Sequence, residues 1–201
     1  MTGHATPTVS GFVLAGGRSL RMGQDKTLMK LAGIPMLLRT AQLVESVVGT
    51  VAVIGRPEPH QQFGLRIIAD DWPGDGPLGG IATALRTAHT TWSLIVACDL
   101  PYLTKSWLEY LVSRATSSSA DAVLPMNALG AEPLCAMYHK RSELAFRRAM
   151  ESGVRKVTDA LASIRIEPIE SSEWQEFSRD GSLFKNMNSP ADYEEAKARL
   201  G

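Results

Sequence analysis

The 201-residue chain is 44% apolar and 21% charged, as expected for a globular protein with a substantial core. Lys plus Arg and Asp plus Glu number 21 each, so the formal net charge is zero and the basic excess of nucleic-acid-binding proteins is absent. No apolar run approaches the roughly 18 residues of a membrane span, and residues 1–9 lack the features of a secretion signal. We therefore expect a cytoplasmic protein with neither nucleic acid nor membrane as a partner.

The first notable stretch follows a tail at 1–10 that we expect to be frayed. An apolar run at 11–15, typical of a buried strand, stops at two adjacent glycines. Such glycines let backbone N–H groups converge on an anion with no Cβ in the way, and the cations that follow supply charge for a triphosphate. The spacing fits neither a Walker loop nor the dinucleotide-binding fingerprint. We therefore predict a phosphate-binding loop, rather than a turn with solvated charges, formed by Gly16, Gly17, Arg18, Arg21, Asp25 and Lys26.

Strands and helices then alternate through the first half of the chain. The run 93–98 is apolar throughout, as in a central parallel strand covered on both faces. It ends at the sequence Asp99-Leu100-Pro101. The predicted elements are a helix from Pro35 with apolar residues Leu37, Leu38, Ala41, Val44 and Val48, strands at 50–54 and 65–69, a loop at 72–80, a helix at 80–89 and a strand at 93–98.

The second half continues this alternation. Thr104 can cap a helix whose buried face is predicted to hold Trp107, Leu108, Leu111 and Val112. Cys98 and Cys135 lie in apolar runs and are expected to be buried, reduced thiols. The further predicted elements are strands at 122–125, 134–138 and 164–166, helices at 142–150, 154–162 and 191–200, and a polar loop at 171–181.

This order predicts a doubly wound α/β fold, with a mostly parallel sheet of about seven strands and helices on both faces, of the Rossmann-like type. We expect a single domain over 11–201, with a nucleotide-binding first half and an acceptor-binding second half. Gly16, Asp70 and Asp99 each lie just beyond a different predicted strand. Parallel strands would bring all three to one rim of the sheet, where ligands bind in such folds.

The acidic residues at this rim suit different tasks. Mg²⁺ is usually held by one or two carboxylates together with substrate phosphates and waters, which favours Asp99 as a metal ligand over a helix N-cap. A carboxylate can also accept two hydrogen bonds from guanine or from ribose hydroxyls, and Asp70 could do either. Asp71 is interpreted as a solvated turn residue. The glycine-rich loop at 76–80 could lie against a base, or could be a simple turn before a helix.

These motifs resemble the molybdenum cofactor guanylyltransferases, small nucleotidyltransferases that join GMP to molybdopterin. The resemblance begins with the loop L-A-G-G-R-S-L-R-M-G-Q-D-K at 14–26. It continues with Asp70, G-P-L-G-G at 76–80, C-D-L-P at 98–101 and N-M-N-S-P at 186–190, and so spans most of the chain. Leu20 departs from the pattern, because relatives often carry a second Arg there.

The resemblance implies a site for each substrate. It implies catalysis by Lys26, Arg21 and Asp99, with Mg²⁺ on Asp99, and acceptor binding by Arg155, Asn186 and Asn188. It also suggests molybdenum-insertion proteins or molybdoenzyme chaperones as partners. The residues implied in GTP binding are Leu14, Ala15, Gly16, Gly17, Arg18, Lys26, Asp70, Pro77, Leu78, Gly79 and Asp99.

A phosphate monoester acceptor would need no general base, because its second pKa is about 6. His4, His60, His89 and His139 are scattered and are interpreted as structural or exposed. Lys26, with Arg18 or Arg21, would stabilise the charge that moves onto pyrophosphate. Three alternatives remain. One is a molybdopterin cytidylyltransferase that uses CTP, whose relatives tend to read L-A-A-G in the loop. The others are a sugar-1-phosphate nucleotidyltransferase, which usually has a longer chain, and a non-catalytic GTP-binding protein.

Overall fold

The computed structural model describes residues 9–16, 25–178 and 180–201. The strands are β1 (Val9–Ala15), β2 (Lys30–Leu31), β3 (Ile34–Pro35), β4 (Val51–Gly55), β5 (Ile67–Ile68), β6 (Trp92–Ala97), β7 (Ala122–Asn127), β8 (Gly130–Ala131), β9 (Cys135–His139) and β10 (Ile166–Ile169). The α-helices are α1 (Met36–Val48), α2 (Pro57–His60), α3 (Pro77–Thr87), α4 (Lys105–Thr116), α5 (Glu143–Glu151), α6 (Val157–Leu161), α7 (Ser171–Trp174) and α8 (Pro190–Leu200).

One sheet organises the fold, with the strand order β10, β7, β9, β6, β1, β4 and β5, and β8 added beside β7. The pairs of β1 with β4 and β6, of β4 with β5, and of β7 with β10 are parallel. β9 runs antiparallel to both of its neighbours, β6 and β7. The six strands of this order other than β9 therefore end at the same rim of the sheet, where β9 begins. The predicted mostly parallel α/β fold is confirmed.

Both faces of the sheet are covered because the central strands are apolar on both sides. Every residue of β6 is buried, which is typical of parallel strands between two layers of helices. One layer packs α1 and α4 against the sheet, through residues such as Leu37 and Trp107. The other packs α3, α5 and α6, through residues such as Ile81 and Phe146. No helix in the described ranges is long and apolar enough to cross a membrane.

A third, smaller cluster holds the C-terminal segment against the rim. It contains Leu31, Met36, Tyr102, Met187 and Ala196, all buried. These residues join α8 to the β2–β3 hairpin and to the loop after β6. The segment before α8 is thereby fixed next to the turn at residues 26–28.

Several predicted boundaries are wrong. Val9 and Ser10 belong to β1 rather than to the tail. The helix predicted at 80–89 begins at Pro77 and ends at Thr87, so two glycines of the predicted loop are inside it. Sequence periodicity missed the short strands β2, β3 and β8, which are too short to produce a pattern. The strand predicted at 65–69 is only Ile67–Ile68, the one at 164–166 is Ile166–Ile169, the helix at 154–162 is Val157–Leu161, and the loop at 171–181 contains α7.

The two cysteines are buried and not joined by a disulfide, as predicted. Burial raises the pKa of the Cys135 thiol to about 12, and its sulfur accepts a hydrogen bond from Trp107 Nε1 at 3.3 Å. Val112, predicted on the buried face of α4, is only partly buried, and Ala115 is buried on that face instead.

Candidate active site

The candidate site lies along the rim where the parallel strands end. Gly16 follows β1, and Asp99 follows β6, its direct neighbour in the sheet. The backbone N–H of Cys98 donates to the carbonyl of Leu14 at 3.2 Å, so the two strands stay paired up to this rim. Asp70 follows β5, which is three strand spacings from β6, or about 14 Å. The rim is therefore long enough to hold an extended ligand.

Lys26, Asp99 and Asn188 meet at the centre of the rim. The Nζ of Lys26 donates a hydrogen bond to Oδ1 of Asn188 at 2.5 Å and lies 3.8 Å from Oδ2 of Asp99. The side chains of Lys26 and Asp99 keep 19% and 26% of their surface exposed, so both remain accessible to a ligand. Three chain segments distant in sequence are thus brought together.

Asp99 has features that suit a hard cation. Burial raises the pKa of its carboxyl group, while the charge of Lys26 opposes that shift. The alternative role as a helix N-cap is excluded, because α4 begins at Lys105 and is capped by Thr104, which accepts from Trp107 N at 3.3 Å. Within the described ranges, no three His, Cys, Asp or Glu side chains gather as a ligand set. A single carboxylate fits the way Mg²⁺ binds with substrate phosphates.

Lys26 is oriented by a chain of hydrogen bonds that sequence analysis did not predict. It begins a 3₁₀ turn at Lys26–Leu28, which Asp25 caps by accepting from Thr27 N at 3.0 Å and from the Thr27 hydroxyl at 2.6 Å. Because the Thr27 hydroxyl donates its only hydrogen to Asp25, its oxygen accepts a hydrogen bond from Nε2 of the buried His60, 2.8 Å away. Burial lowers the pKa of His60 and favours this neutral form. His60 therefore has a structural role, as interpreted from sequence.

Asp70 closes the turn that leads to α3. Its Oδ1 accepts from Trp72 N at 3.0 Å and from the Thr83 hydroxyl at 3.1 Å. Its Oδ2 receives no hydrogen bond from the described residues and so has capacity for a ligand. Asp71 pairs instead with Arg86, at 2.5 Å, on the surface. Thr83 was missed, because a threonine inside a helix gives no signal of contact with a distant loop.

The glycine-rich segment is the start of α3 rather than a long loop. Gly76 is its N-cap with a φ of 84°, a left-handed conformation that favours glycine. A Cβ at Gly79 would lie 2.9 Å from Trp72 Cβ and 3.4 Å from Asp70 Oδ1, and one at Gly80 would lie 3.2 Å from Leu14 Cδ2. These glycines therefore let α3 approach the Asp70 turn and β1.

The other residues predicted to bind the nucleotide differ in accessibility. Leu14, Ala15 and Leu78 are buried, so only their backbone could face a ligand, whereas Gly16 and Pro77 are exposed. Whether they contact a nucleotide stays a prediction. Three further predicted residues, Gly17, Arg18 and Arg21, lie outside the described residues.

No hydrogen bond or ion pair joins Arg155 to Asn186 or Asn188, the other two predicted acceptor residues. Arg155 pairs with Asp75 at 3.2 Å and donates to the carbonyl oxygens of Met150 and Val154, which places it beside the N-terminus of α3. Asn186 and Asn188 are exposed on either side of buried Met187, whose backbone N–H donates to the carbonyl of Asp99 at 2.9 Å. Asn188 thus contacts Lys26, and Asp75, which was not predicted, orients Arg155.

Comparison with known proteins supports a common origin. The model of the MobA-like NTP transferase domain matches residues 11–164. A probable molybdenum cofactor guanylyltransferase of Natronomonas pharaonis is 34% identical, with 95% of this chain and 98% of the relative covered. The corresponding protein of Pelotomaculum thermopropionicum is 31% identical, with 94% and 91% covered.

The fold has close counterparts among solved structures. Molybdopterin-guanine dinucleotide biosynthesis protein A from Archaeoglobus fulgidus superimposes with a TM-score of 0.81 and 25% identity, over 94% of this chain and 97% of that one. A nucleotidyl transferase from Methanothermobacter has a TM-score of 0.72 at 18% identity, over 97% and 98%, and so shares the fold.

Proposed function

The chain belongs to the MobA-like NTP transferase family and is a nucleotidyltransferase, and from that premise we propose that it transfers GMP from GTP to the terminal phosphate of molybdopterin. The similarity to probable molybdenum cofactor guanylyltransferases supports this choice of substrates. The observation that carries the proposal is the meeting of Lys26, Asp99 and Asn188 at one rim, with Lys26 Nζ 3.8 Å from Asp99 Oδ2. A lysine beside a half-buried carboxylate suits a metal-bound triphosphate.

The reaction is an in-line displacement at the α-phosphorus of GTP. A terminal phosphate oxygen of the acceptor forms the new P–O bond, the bond between the α-phosphorus and the α–β bridging oxygen breaks, and pyrophosphate leaves. Because the acceptor phosphate is already largely deprotonated near neutral pH, no residue has to remove a proton. The chain's task is to position both substrates and to neutralise charge.

Each central residue has a distinct part in this task. Asp99 would hold Mg²⁺, which when bound neutralises charge on the phosphate oxygens. Lys26 stabilises the negative charge that grows on the leaving pyrophosphate. Asn188 accepts from Lys26 and keeps its ammonium group at the rim. The free Oδ2 of Asp70 accepts from either the guanine edge or the ribose of GTP.

A nucleotide panel tests the substrate assignment. The protein is incubated with molybdopterin and Mg²⁺ and with GTP, CTP, UTP or ATP in turn, and pyrophosphate release and thermal stabilisation are both measured. We expect release and stabilisation to be largest with GTP, and release to require the acceptor. Selective stabilisation and turnover with CTP would indicate a cytidylyltransferase instead. Binding of GTP without any pyrophosphate release would indicate a non-catalytic nucleotide sensor.

A further inference from the structure

A carboxylate that the proposed reaction has not used lies at the same rim, on the other side of Asp99. β9 is inserted between β6 and β7 and runs antiparallel to both, so its first residues lie where its neighbours end. Glu132 precedes β9 in a turn closed by Cys135 N donating to Glu132 O at 3.3 Å. The backbone N–H of Ala97 donates to Leu134 O at 2.7 Å and fixes this turn to the end of β6.

The carboxylate of Glu132 is held in a defined orientation. Oε1 accepts a hydrogen bond from Nδ2 of Asn127, the last residue of β7. The amide of Asn127 is oriented in turn, because its Oδ1 accepts from Leu129 N at 2.7 Å. The side chain is neither fully buried nor exposed, so Glu132 remains within reach of a ligand at the rim.

This carboxylate lacks the charge partner that a partly buried acid usually has. Burial raises its pKa, the hydrogen bond from Asn127 opposes the shift, and no cation of the described residues contributes. A desolvated carboxylate without a charge partner costs free energy, which a ligand with suitably placed N–H donors would recover. A phosphate would be repelled here, whereas a ligand group that carries N–H donors would be bound.

We propose that Glu132, oriented by Asn127, binds the 2-amino-4-oxo edge of the pterin ring of the acceptor. That edge carries two parallel donors, the N3–H and one N–H of the 2-amino group, and a carboxylate can accept both. The inference rests on the proposed function, since it assigns a residue to the acceptor named there. It makes Glu132 a specificity-determining residue for the pterin, separate from the groups that act on the phosphates.

Guanine has the same donor edge, and the sheet order separates the two rings. Asp70, the carboxylate available to GTP, follows β5, while Glu132 precedes β9, four strand spacings or about 19 Å away. Asp99 and Lys26 lie between them, where the phosphates react. The product of the proposed reaction has the matching shape, with an aminopyrimidine edge at each end and a pyrophosphate in the middle.

The substitution Glu132→Gln tests the inference with little change of shape. Glutamine offers one acceptor and one donor, so it can no longer accept both N–H groups of the pterin. We expect the KM for molybdopterin to rise about 10–100-fold, the size of a lost charge-assisted pair, while kcat and the KM for GTP change less than about twofold. The matched control is Glu167→Gln, which alters a carboxylate of β10 that binds Ser118 and Arg114 and should leave the KM for molybdopterin unchanged.

Binding of two stable fluorescent ligands measures recognition of the pterin edge independently of turnover and of the stability of the variant. Both 6-hydroxymethylpterin and 6-hydroxymethyllumazine are fluorescent, and lumazine replaces the 2-amino group with an oxo group. We expect the wild-type protein to bind the pterin at least about tenfold more tightly, and Glu132→Gln to lose or reverse this preference, because its amide can donate to the oxo group. An unchanged preference in Glu132→Gln would overturn the inference, even if the variant had a lower Tm.

The probes also separate this inference from the proposed function. If the wild-type protein transfers GMP to molybdopterin but Glu132→Gln keeps its KM for the acceptor, only the role of Glu132 fails. If no GMP is transferred while the preference for pterin over lumazine exists and depends on Glu132, the proposed function fails and the pterin site stands.

Discussion

The rim is built differently on the two sides of Asp99. On the side that holds Asp70, proposed to bind the nucleotide, β1, β4 and β5 all run parallel to β6, so the residues that follow them reach the rim. On the side that holds Glu132, proposed to bind the acceptor, β9 runs antiparallel, so the residue before the strand reaches the rim instead. The charged groups also differ. Lys26 places a cation beside Asp99, whereas Glu132 is an acid that pairs with no cation in the described ranges. One side suits phosphates and the other suits a donor-rich ring.

The largest expected effect separates Asp99 from its neighbours. Asp99→Asn removes the charge that would hold Mg²⁺, and we expect turnover to fall about 10²–10³-fold. Steady-state rates of pyrophosphate release at increasing Mg²⁺ measure this. Asp71→Asn is the control, because Asp71 is engaged on the surface with Arg86. Near-normal turnover of Asp99→Asn at saturating Mg²⁺ would remove the metal role from Asp99.

A smaller difference in rate is expected between variants of Lys26 and of Asn188, which are hydrogen-bonded to each other at the rim. Lys26→Ala removes the cation proposed to stabilise the leaving pyrophosphate, and kcat should fall about 100-fold. Asn188→Ala removes only a group that orients Lys26, so its loss should be nearer tenfold. Rates at saturating GTP and molybdopterin compare them. Equal losses in the two variants would contradict the separate roles given to Lys26 and Asn188.

The glycines of α3 provide a matched pair on the nucleotide side. Gly79→Ala places a Cβ 2.9 Å from Trp72 Cβ and 3.1 Å from its carbonyl oxygen, and we expect it to destabilise the fold by about 1–3 kcal/mol. Gly80→Ala meets only the movable end of Leu14 at 3.2 Å. It should cost less than about 1 kcal/mol, because alanine also favours the helix. Urea unfolding measures both variants, and a larger loss for Gly80→Ala would show that the packing around α3 is described incorrectly.

The smallest expected effect is on stability and concerns His60, in the chain of hydrogen bonds that orients Lys26. Burial holds the pKa of His60 below 6.5, the charge of Asp25 opposes this and that of Arg56 adds to it. The folded state therefore binds fewer protons than the unfolded state, so stability from this group is present above pH 6.5 and is lost as the pH falls below it. Melting temperatures between pH 8 and pH 5 should decline, and the decline should be weaker in His60→Gln. An equal decline in that variant would assign the pH dependence to other groups.

Sequence reasoning succeeded where a residue follows its own strand. Strand alternation predicted the sheet, and Gly16, Asp70 and Asp99 were correctly placed at one rim because parallel strands end on the same side. The reasoning failed where a contact joins distant elements, as with Thr83 and Asp70 or Arg155 and Asp75, since neither spacing nor composition records such pairs. Sequence analysis did not identify Glu132, because a pattern of apolar residues does not show the antiparallel direction of β9, which brings Glu132 to the rim.

The central claim is that this rim directs attack on the α-phosphorus of GTP, and labelled GTP tests it most directly. The protein is incubated with molybdopterin, Mg²⁺ and GTP carrying ³²P at either the α or the γ position, and the pterin product is separated from the released phosphates. The account predicts that the α label appears in the pterin product and the γ label in pyrophosphate. Transfer of the γ label to the pterin, or release of inorganic phosphate with no labelled pterin, would contradict it.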